Sequence, residues 1–220
     1  MVGTSVGSLL GIALGIGVGA MAMAKSSGEM TIDKETQLIE AVLDGDGNAF
    51  RGLVETYQAR IYNIIYGMVH NRDDAQELTQ DSFIKAYKKL DTFNLGTKFY
   101  TWVCRIAVNT TIDFLRKHKN RQHLSFDEGI GIQESAGVSD MHYESNPEQA
   151  AIQEETRQKI IEAVDELPED QKQILILKEI DGLSYKEISE VLNVPQGTVM
   201  SRLYYARKKL QDILIDSKNI

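Results

Sequence analysis

A short helix, an enforced break and a second helix rich in basic residues close this chain, and that order constrains the fold more than any other feature. The segment reads Leu183-Ser184-Tyr185-Lys186-Glu187-Ile188-Ser189, then Asn193-Val194-Pro195-Gln196-Gly197-Thr198-Val199, then Ser201-Arg202 and Arg207-Lys208-Lys209. Ser184 with Glu187 three residues on is a capping box, which starts the first helix. Pro195 disfavours helical geometry at Val194, so the first helix ends there and Gln196 to Thr198 open the second. Val199, Leu203, Ala206 and Leu210 fall at helical spacing and face a core. Gln196, Thr198, Met200, Ser201, Arg202 and Lys208 are left facing outward. Hydroxyl and basic side chains near the start of such a helix suit phosphates and base edges in the DNA major groove.

The rest of the chain is read as helical too, which makes the fold class all-α. Leu38, Ile39 and Val42 form a short apolar face that ends at Gly45 and Gly47. Phe50, Leu53, Val54, Tyr57, Ile61, Ile65 and Met68 recur at three- and four-residue steps, an amphipathic helix. Asn71-Arg72-Asp73-Asp74 is a turn and N-cap. A third helix carries Ala75, Leu78, Phe83, Ala86, Tyr87 and Leu90. After a loop over 92–98, a fourth runs from near Phe99 through Trp102, Val103, Ile106 and Ala107 to about Lys119. A four-helix domain over 33–121 follows. A second small domain over 147–215 starts with a helix opened by Pro147 and carrying Ile152, Ile160, Ile161 and Val164. It continues through Leu167-Pro168 and Ile174, Leu175, Leu177 and Ile180 into the helix-turn-helix.

Charge separates these two domains. The net charge of −8 is wrong in sign for a DNA binder, but residues 1–123 carry +1, residues 124–156 carry −8 and residues 157–220 carry −1. The middle stretch has no Lys or Arg and eight acids, Asp127, Glu128, Glu134, Asp140, Glu144, Glu148, Glu154 and Glu155. Its residues 122–146 mix acids with Gly and Ser and lack helical periodicity, so they read as a flexible acidic linker. Nearly neutral domains neutralise few phosphates, so DNA binding should need a larger partner. At the other end, 1–30 is an uncharged, glycine-rich leader as far as Ala24. A helix over its apolar run would span about 24 Å, short of the ~30 Å hydrocarbon core, and no basic residues precede it as in a signal peptide. It is read as a non-functional leader, with a translated segment upstream of Met23 or Met30 and a weak membrane anchor as the other readings.

Two constellations in the first domain go beyond packing. Glu77, Gln80 and Asp81 share one helix face, and an acidic and amide face suits a basic protein surface. An isolated helix carries such a face simply because it is solvated. Asp91 to Trp102 supplies aromatics, and Arg105, Asn109, Asp113, Arg116, Lys117, Lys119 and Arg121 follow on one helix. Aromatics beside cations suit melted DNA, whose bases stack while the cations hold its backbone. Extruding a base costs a few kcal/mol, which a pocket able to bond its edge offsets, and Asn109 offers both donor and acceptor. Phe99 and Trp102 can equally be core residues.

In this order, with a linker and a terminal helix-turn-helix, these segments resemble the extracytoplasmic-function (group IV) sigma factors of bacterial RNA polymerase, in their envelope-stress branch. Phe99-Tyr100-Thr101-Trp102-Val103-Cys104-Arg105-Ile106-Ala107-Val108-Asn109-Thr110 looks like the family's −10 segment. Asp165-Glu166-Leu167-Pro168-Glu169-Asp170 through Thr198-Val199 looks like its −35 domain. The resemblance implies that 33–121 is region 2, binding core polymerase and the −10 element, and that 147–215 is region 4, reading the −35 element. It assigns Glu77, Gln80 and Asp81 to the polymerase clamp. It assigns Phe93, Lys98, Asn109, Arg116, Lys117 and Lys119 to −10 DNA, and Gln196, Thr198, Ser201, Arg202 and Arg207 to −35 DNA. The implied partners are core RNA polymerase, promoter DNA and an anti-sigma factor, in some members membrane-bound. The implied location is the cytoplasm. In such proteins the linker threads the polymerase RNA channel, where the eight acids would mimic nucleic acid. The family usually has a basic residue where this chain has Met200, which leaves its −35 preference open.

No enzyme is expected, and no small-molecule substrate, cofactor, metal site or catalytic residue. His70, His118, His123 and His142 form no motif with a nucleophile or a metal pair. Cys104, the one cysteine, allows no intrachain disulfide and reads as a small buried hydrophobe. The alternatives are an autonomous helix-turn-helix regulator, which would bind duplex DNA tightly without polymerase, and a membrane-tethered interaction protein.

Overall fold

The computed structural model describes residues 30–125, 155 and 158–216. They fall in two compact units, one within 28–138 and one within 139–220. The expected leader, most of the linker, and Pro147 with Ile152 lie outside the described residues.

The first unit contains α1 (Ile32–Leu43), α2 (Ala49–Val69), α3 (Arg72–Lys88), a 3-10 turn at Leu90–Thr92, and α4 (Phe99–Ser125). Helix α2 is the hub, and its Leu53, Tyr57, Ile61, Ile64, Ile65 and Met68 are all buried. Helices α1, α3 and α4 each pack on it, and α3 packs on α4. Asn71 starts α3 as the sequence predicts, its side chain accepting from the amides of Asp73 and Asp74 at 2.9 and 3.0 Å. The inward edge of α3 is built from small residues, Ala75, Thr79, Ser82 and Ala86, which lets its neighbours come close. The Thr79 and Ser82 hydroxyls bond back to Ala75 O and Leu78 O, so burying them strands no donor. Helix α1 is tied down by the buried Glu35, whose carboxylate accepts from the Tyr57 hydroxyl. Burial, and then charge repulsion with the neighbouring Tyr66 hydroxyl, push the Tyr62 hydroxyl pKa above the ordinary tyrosine value.

Three details differ from the sequence reading. Helix α4 continues to Ser125, past Lys119 and into the first residues assigned to the linker, because neither Gly nor Pro interrupts it before Gly129. Leu90 is buried but belongs to the 3-10 turn rather than to α3. Tyr87 is 47% exposed, its ring lying edge-on to Phe50 at 5.1 Å as a cover over the core.

The second unit contains a helix described over 158–165 (α5), then α6 (Glu169–Glu179), α7 (Tyr185–Leu192) and α8 (Gln196–Asp216). Four successive residues of α6, Ile174 to Leu177, are buried, so this helix is covered on all sides. Both capping-box bonds at Ser184 and Glu187 are present. Asn193 ends α7 in the left-handed conformation, φ 53°, where Asn is tolerated better than most residues. The Ser189 hydroxyl closes the turn on Val194 O at 2.6 Å. Val199, Leu203, Ala206 and Leu210 face inward, as their spacing requires.

Candidate nucleic-acid interface

Glu77, Gln80 and Asp81 are all exposed on α3 and share one face, as expected. The same line holds Ile84, 51% exposed, and Lys88. Reasoning from charge alone passes over Ile84, although its spacing from Gln80 and Asp81 gives its place away. The face thus runs from the acids and amide through an apolar residue to a lysine. On the next side of α3, Lys85 Nζ donates to Thr110 Oγ1 of α4 at 3.1 Å, which fixes the two helices in register.

Helix α4 divides its residues between core and surface. Phe99, Val103, Cys104, Ala107, Val108 and Thr111 are buried. Trp102, Arg105, Ile106, Asn109, Ile112, Asp113 and Arg116 lie along the outer stripe, with Asn109 exposed near its middle. Lys117 is also exposed, and Lys119 continues the basic end of the helix. Cys104 is the buried residue its composition suggests. His118 is exposed, with its ring 4.1 Å from Phe114.

The loop ahead of α4 is an extension of the core. Phe93 is half-buried, 5.8 Å from Phe99 and 5.2 Å from Trp102, edge-on to both. Trp102 is half-buried against Phe99 at 5.7 Å. The tryptophan thus supports the core on one side and is open to solvent on the other. Beyond Phe93, the Asn94 side chain accepts from the Gly96 amide at 2.9 Å and its carbonyl accepts from Thr97. A Cβ on Gly96 would sit 3.2 Å from Asn94 Oδ1, so a glycine keeps this turn tight. Lys98 is exposed at the end of the loop.

On α8, Gln196, Gly197, Met200, Ser201, Tyr204, Tyr205 and Lys208 are exposed, off the core-facing line, and Thr198 is half-buried. Arg202 and Arg207 occupy the two flanks instead. Arg202 Nε pairs with Asp170 at 2.9 Å. Arg207 Nε donates to Glu179 at 2.9 Å. Arg202 is therefore not on the outward line where the sequence reading placed it, because an acidic partner on α6 draws it sideways. The tyrosines were legible in principle, since the period that buries Leu203 and Ala206 turns Tyr204 and Tyr205 out.

The Arg207 pair carries a structural consequence. The Glu179 side chain is only 12% exposed, and deleting its partner leaves a poorly hydrated charge. Arg207→Ala should lower the stability of the second unit by about 2 kcal/mol, less than for a fully buried pair because Arg207 itself is partly hydrated. Denaturant melts of Arg207→Ala and of Arg207→Met with Glu179→Leu check this, and the double variant should recover most of the loss.

Among the described residues no cluster of His, Cys, Asp and Glu could hold a metal ion. No described helix is long and apolar enough to cross a membrane.

With this geometry in hand, known proteins offer close comparisons. The Sigma-70 region 2 family matches residues 53–121, and the family for Sigma-70, region 4 matches residues 157–210. An ECF RNA polymerase sigma-E factor of Salmonella typhi is 38% identical over 175 residues, which cover 80% of this chain and 91% of that protein. An RNA polymerase sigma-H factor of Pseudomonas aeruginosa is 36% identical over 188 residues, 84% of this chain and 96% of that protein. Among solved structures, the sigma factor RpoE of Bartonella quintana, crystallised with the anti-sigma factor NepR, is 26% identical. It aligns with TM-score 0.57 over 75% of this chain and 96% of that one. CnrH, in complex with the cytosolic domain of CnrY, shares the fold at 20% identity, TM-score 0.59, over 83% of this chain and 98% of that one. The chain belongs to the extracytoplasmic-function sigma factors of the sigma-70 family. The sigma-E, sigma-H and RpoE relatives are sigma factors rather than autonomous regulators.

Proposed function

We propose that this protein is a dissociable, non-enzymatic specificity subunit of bacterial RNA polymerase, which directs initiation by recognising −10 and −35 promoter elements and helping to melt DNA. One observation carries the reading: an acidic face and an aromatic–basic helix in one unit accompany a helix-turn-helix in another, matched respectively by region 2 and region 4 families. In this reading residues 33–121 bind core polymerase and the −10 element, 122–146 connect the domains, and 147–215 bind the −35 element. Glu77, Gln80 and Asp81, with Ile84 one turn beyond them, dock on the polymerase clamp. Phe93 and Lys98 line the capture site for a −10 base, Asn109 bonds its edge, and Arg116, Lys117 and Lys119 hold the backbone. Gln196, Thr198 and Ser201 meet the −35 element, while Arg202 and Arg207 reach phosphates on either side of the groove. The protein works in the cytoplasm, and an anti-sigma factor holds it inactive, in keeping with complexes of that kind among its structural relatives.

The test is transcription in vitro with the full chain and purified core polymerase on fragmented genomic DNA, with start sites sequenced. Discrete starts sharing two upstream motifs are expected. No starts, together with tight duplex binding by the protein alone, would overturn the reading. On a promoter found in this way, Asn109→Ala should reduce open complexes about tenfold, the worth of roughly one base-edge contact, and leave affinity for core polymerase unchanged.

A further inference from the structure

We propose that the exposed apolar side chains of α8, Met200, Tyr204 and Tyr205, read the −35 element through apolar contact with thymine methyl groups. This replaces arginine–guanine hydrogen bonding as the main source of sequence preference there. The inference rests on the sigma-factor reading and names the chemistry by which the second unit chooses its DNA.

The first support is exposure. Met200 is 56% exposed, Tyr204 63% and Tyr205 59%. Large apolar side chains side by side on a soluble protein mark a binding surface more often than chance placement. They do not help fill the core, which falls to Val199, Leu203, Ala206 and Leu210. The Tyr204 and Tyr205 rings meet edge to face at 5.4 Å, which makes them one ridge. Tyr185, at the start of α7, joins Met200, Tyr204, Lys208 and the Glu179-paired Arg207 in lining a shallow groove beside the tyrosines.

The second support is where the cations are. Arginine reads guanine by aiming its planar fork at two acceptors on the base edge. Arg202 and Arg207 are turned to the flanks by Asp170 and Glu179. Lys209 donates to Glu166 O at 2.6 Å. Among the described residues, Lys208 is the cation left on the outward line. A helix presenting this surface to the major groove offers methionine and aromatic carbon. The thymine 5-methyl is the apolar group that base edges display there. The tyrosine hydroxyls stay at the rim, able to donate to phosphates.

Holoenzyme assembled from the full chain and core polymerase would select from a pool of random duplexes. The recovered promoter would then be remade with deoxyuridine for thymidine, position by position. That exchange removes a methyl group and leaves every hydrogen-bonding atom in place. The expected result is a thymine-containing upstream element in which each contacted thymine loses about fourfold in binding on exchange, the worth of one buried methyl. Tyr204→Ala with Tyr205→Ala should bind the original promoter more weakly and become indifferent to the exchange. Tyr204→Phe with Tyr205→Phe, which keeps both rings, should retain the penalty. Selection with Tyr205→Arg should bring guanine into the element. Equal binding with either base by the wild-type protein, or a penalty that survives in the alanine variant, would overturn the proposal. So would unchanged promoter binding by the alanine variant, which would leave the ridge to a protein partner. Recovery of no sequence beyond what core polymerase recovers alone would overturn both this proposal and the sigma-factor reading. A recovered promoter indifferent to the exchange would overturn this proposal alone.

Discussion

The Glu77→Lys, Asp81→Lys variant is expected to lose affinity for core polymerase by at least about a hundredfold and to stop initiating transcription. Both side chains are exposed on one face of α3, and against a basic partner each reversal replaces an attraction with a repulsion. Like charges brought together at an interface cost several kcal/mol, and each 1.4 kcal/mol is a factor of ten. The fold should be indifferent, because changes at exposed helical positions stay within about 0.5 kcal/mol. The effect should also depend on salt, since these charges are hydrated before binding. Affinity measured by fluorescence anisotropy on labelled protein, beside a thermal melt, separates the possibilities. Normal affinity with a normal melt would remove α3 from the docking surface. Ile84→Ala offers an independent reading: it keeps every charge and should weaken binding about tenfold, as truncation of an apolar contact within an interface does.

What the chain's sequence makes legible follows from how local each signal is. The 3.6-residue period reports which side of a helix is buried, so the inward lines of α2 and α8 can be written down before any coordinates exist. The Ser184–Glu187 box spans three residues and is legible for the same reason. The Asn71 cap and the break at Asn193 to Pro195 are equally local. Interactions between distant residues leave no such trace. Arg207 and Glu179 are 28 positions apart, and nothing in the basic run at 207–209 says that one of its members is turned toward α6. The same holds for Arg202 with Asp170. The shape of the candidate −10 surface was hidden for a related reason. Phe93, Phe99 and Trp102 are close in the chain, but whether their rings form a base pocket or a core depends on Phe50 and Tyr57 from α2, which complete the cluster. Tyr87 fits a helical period and still stays half in solvent, because the place beneath it is already filled by Phe50.

That cluster makes Phe99→Ala the most destabilising single change expected in the first unit. Phe99 has no exposed surface and its ring lies between 5.7 and 6.3 Å from four others, those of Phe50, Tyr57, Phe93 and Trp102. Truncation removes the transfer energy of the ring and leaves a cavity that two helices and a loop cannot all close, a cost of about 4 kcal/mol. Against the 5–15 kcal/mol that typically holds a domain together, such a loss lowers the melting temperature by roughly 20 °C in a unit of this size. A loss under about 1.5 kcal/mol, the range of volume-conserving swaps, would mean that the core is not centred on this ring. The functional consequence should appear separately in Phe99→Leu, which keeps most of the volume. Phe93 is held in place by Phe99 and Trp102, and its backbone leads directly into the Asn94 turn. Loosening that support should reduce open-complex formation several-fold while core polymerase affinity stays normal, because the α3 face does not depend on the loop. The same rings therefore hold the fold and set the position of the loop proposed to meet melted DNA. A change in their packing should be read out first as a promoter defect and only in the alanine variant as unfolding.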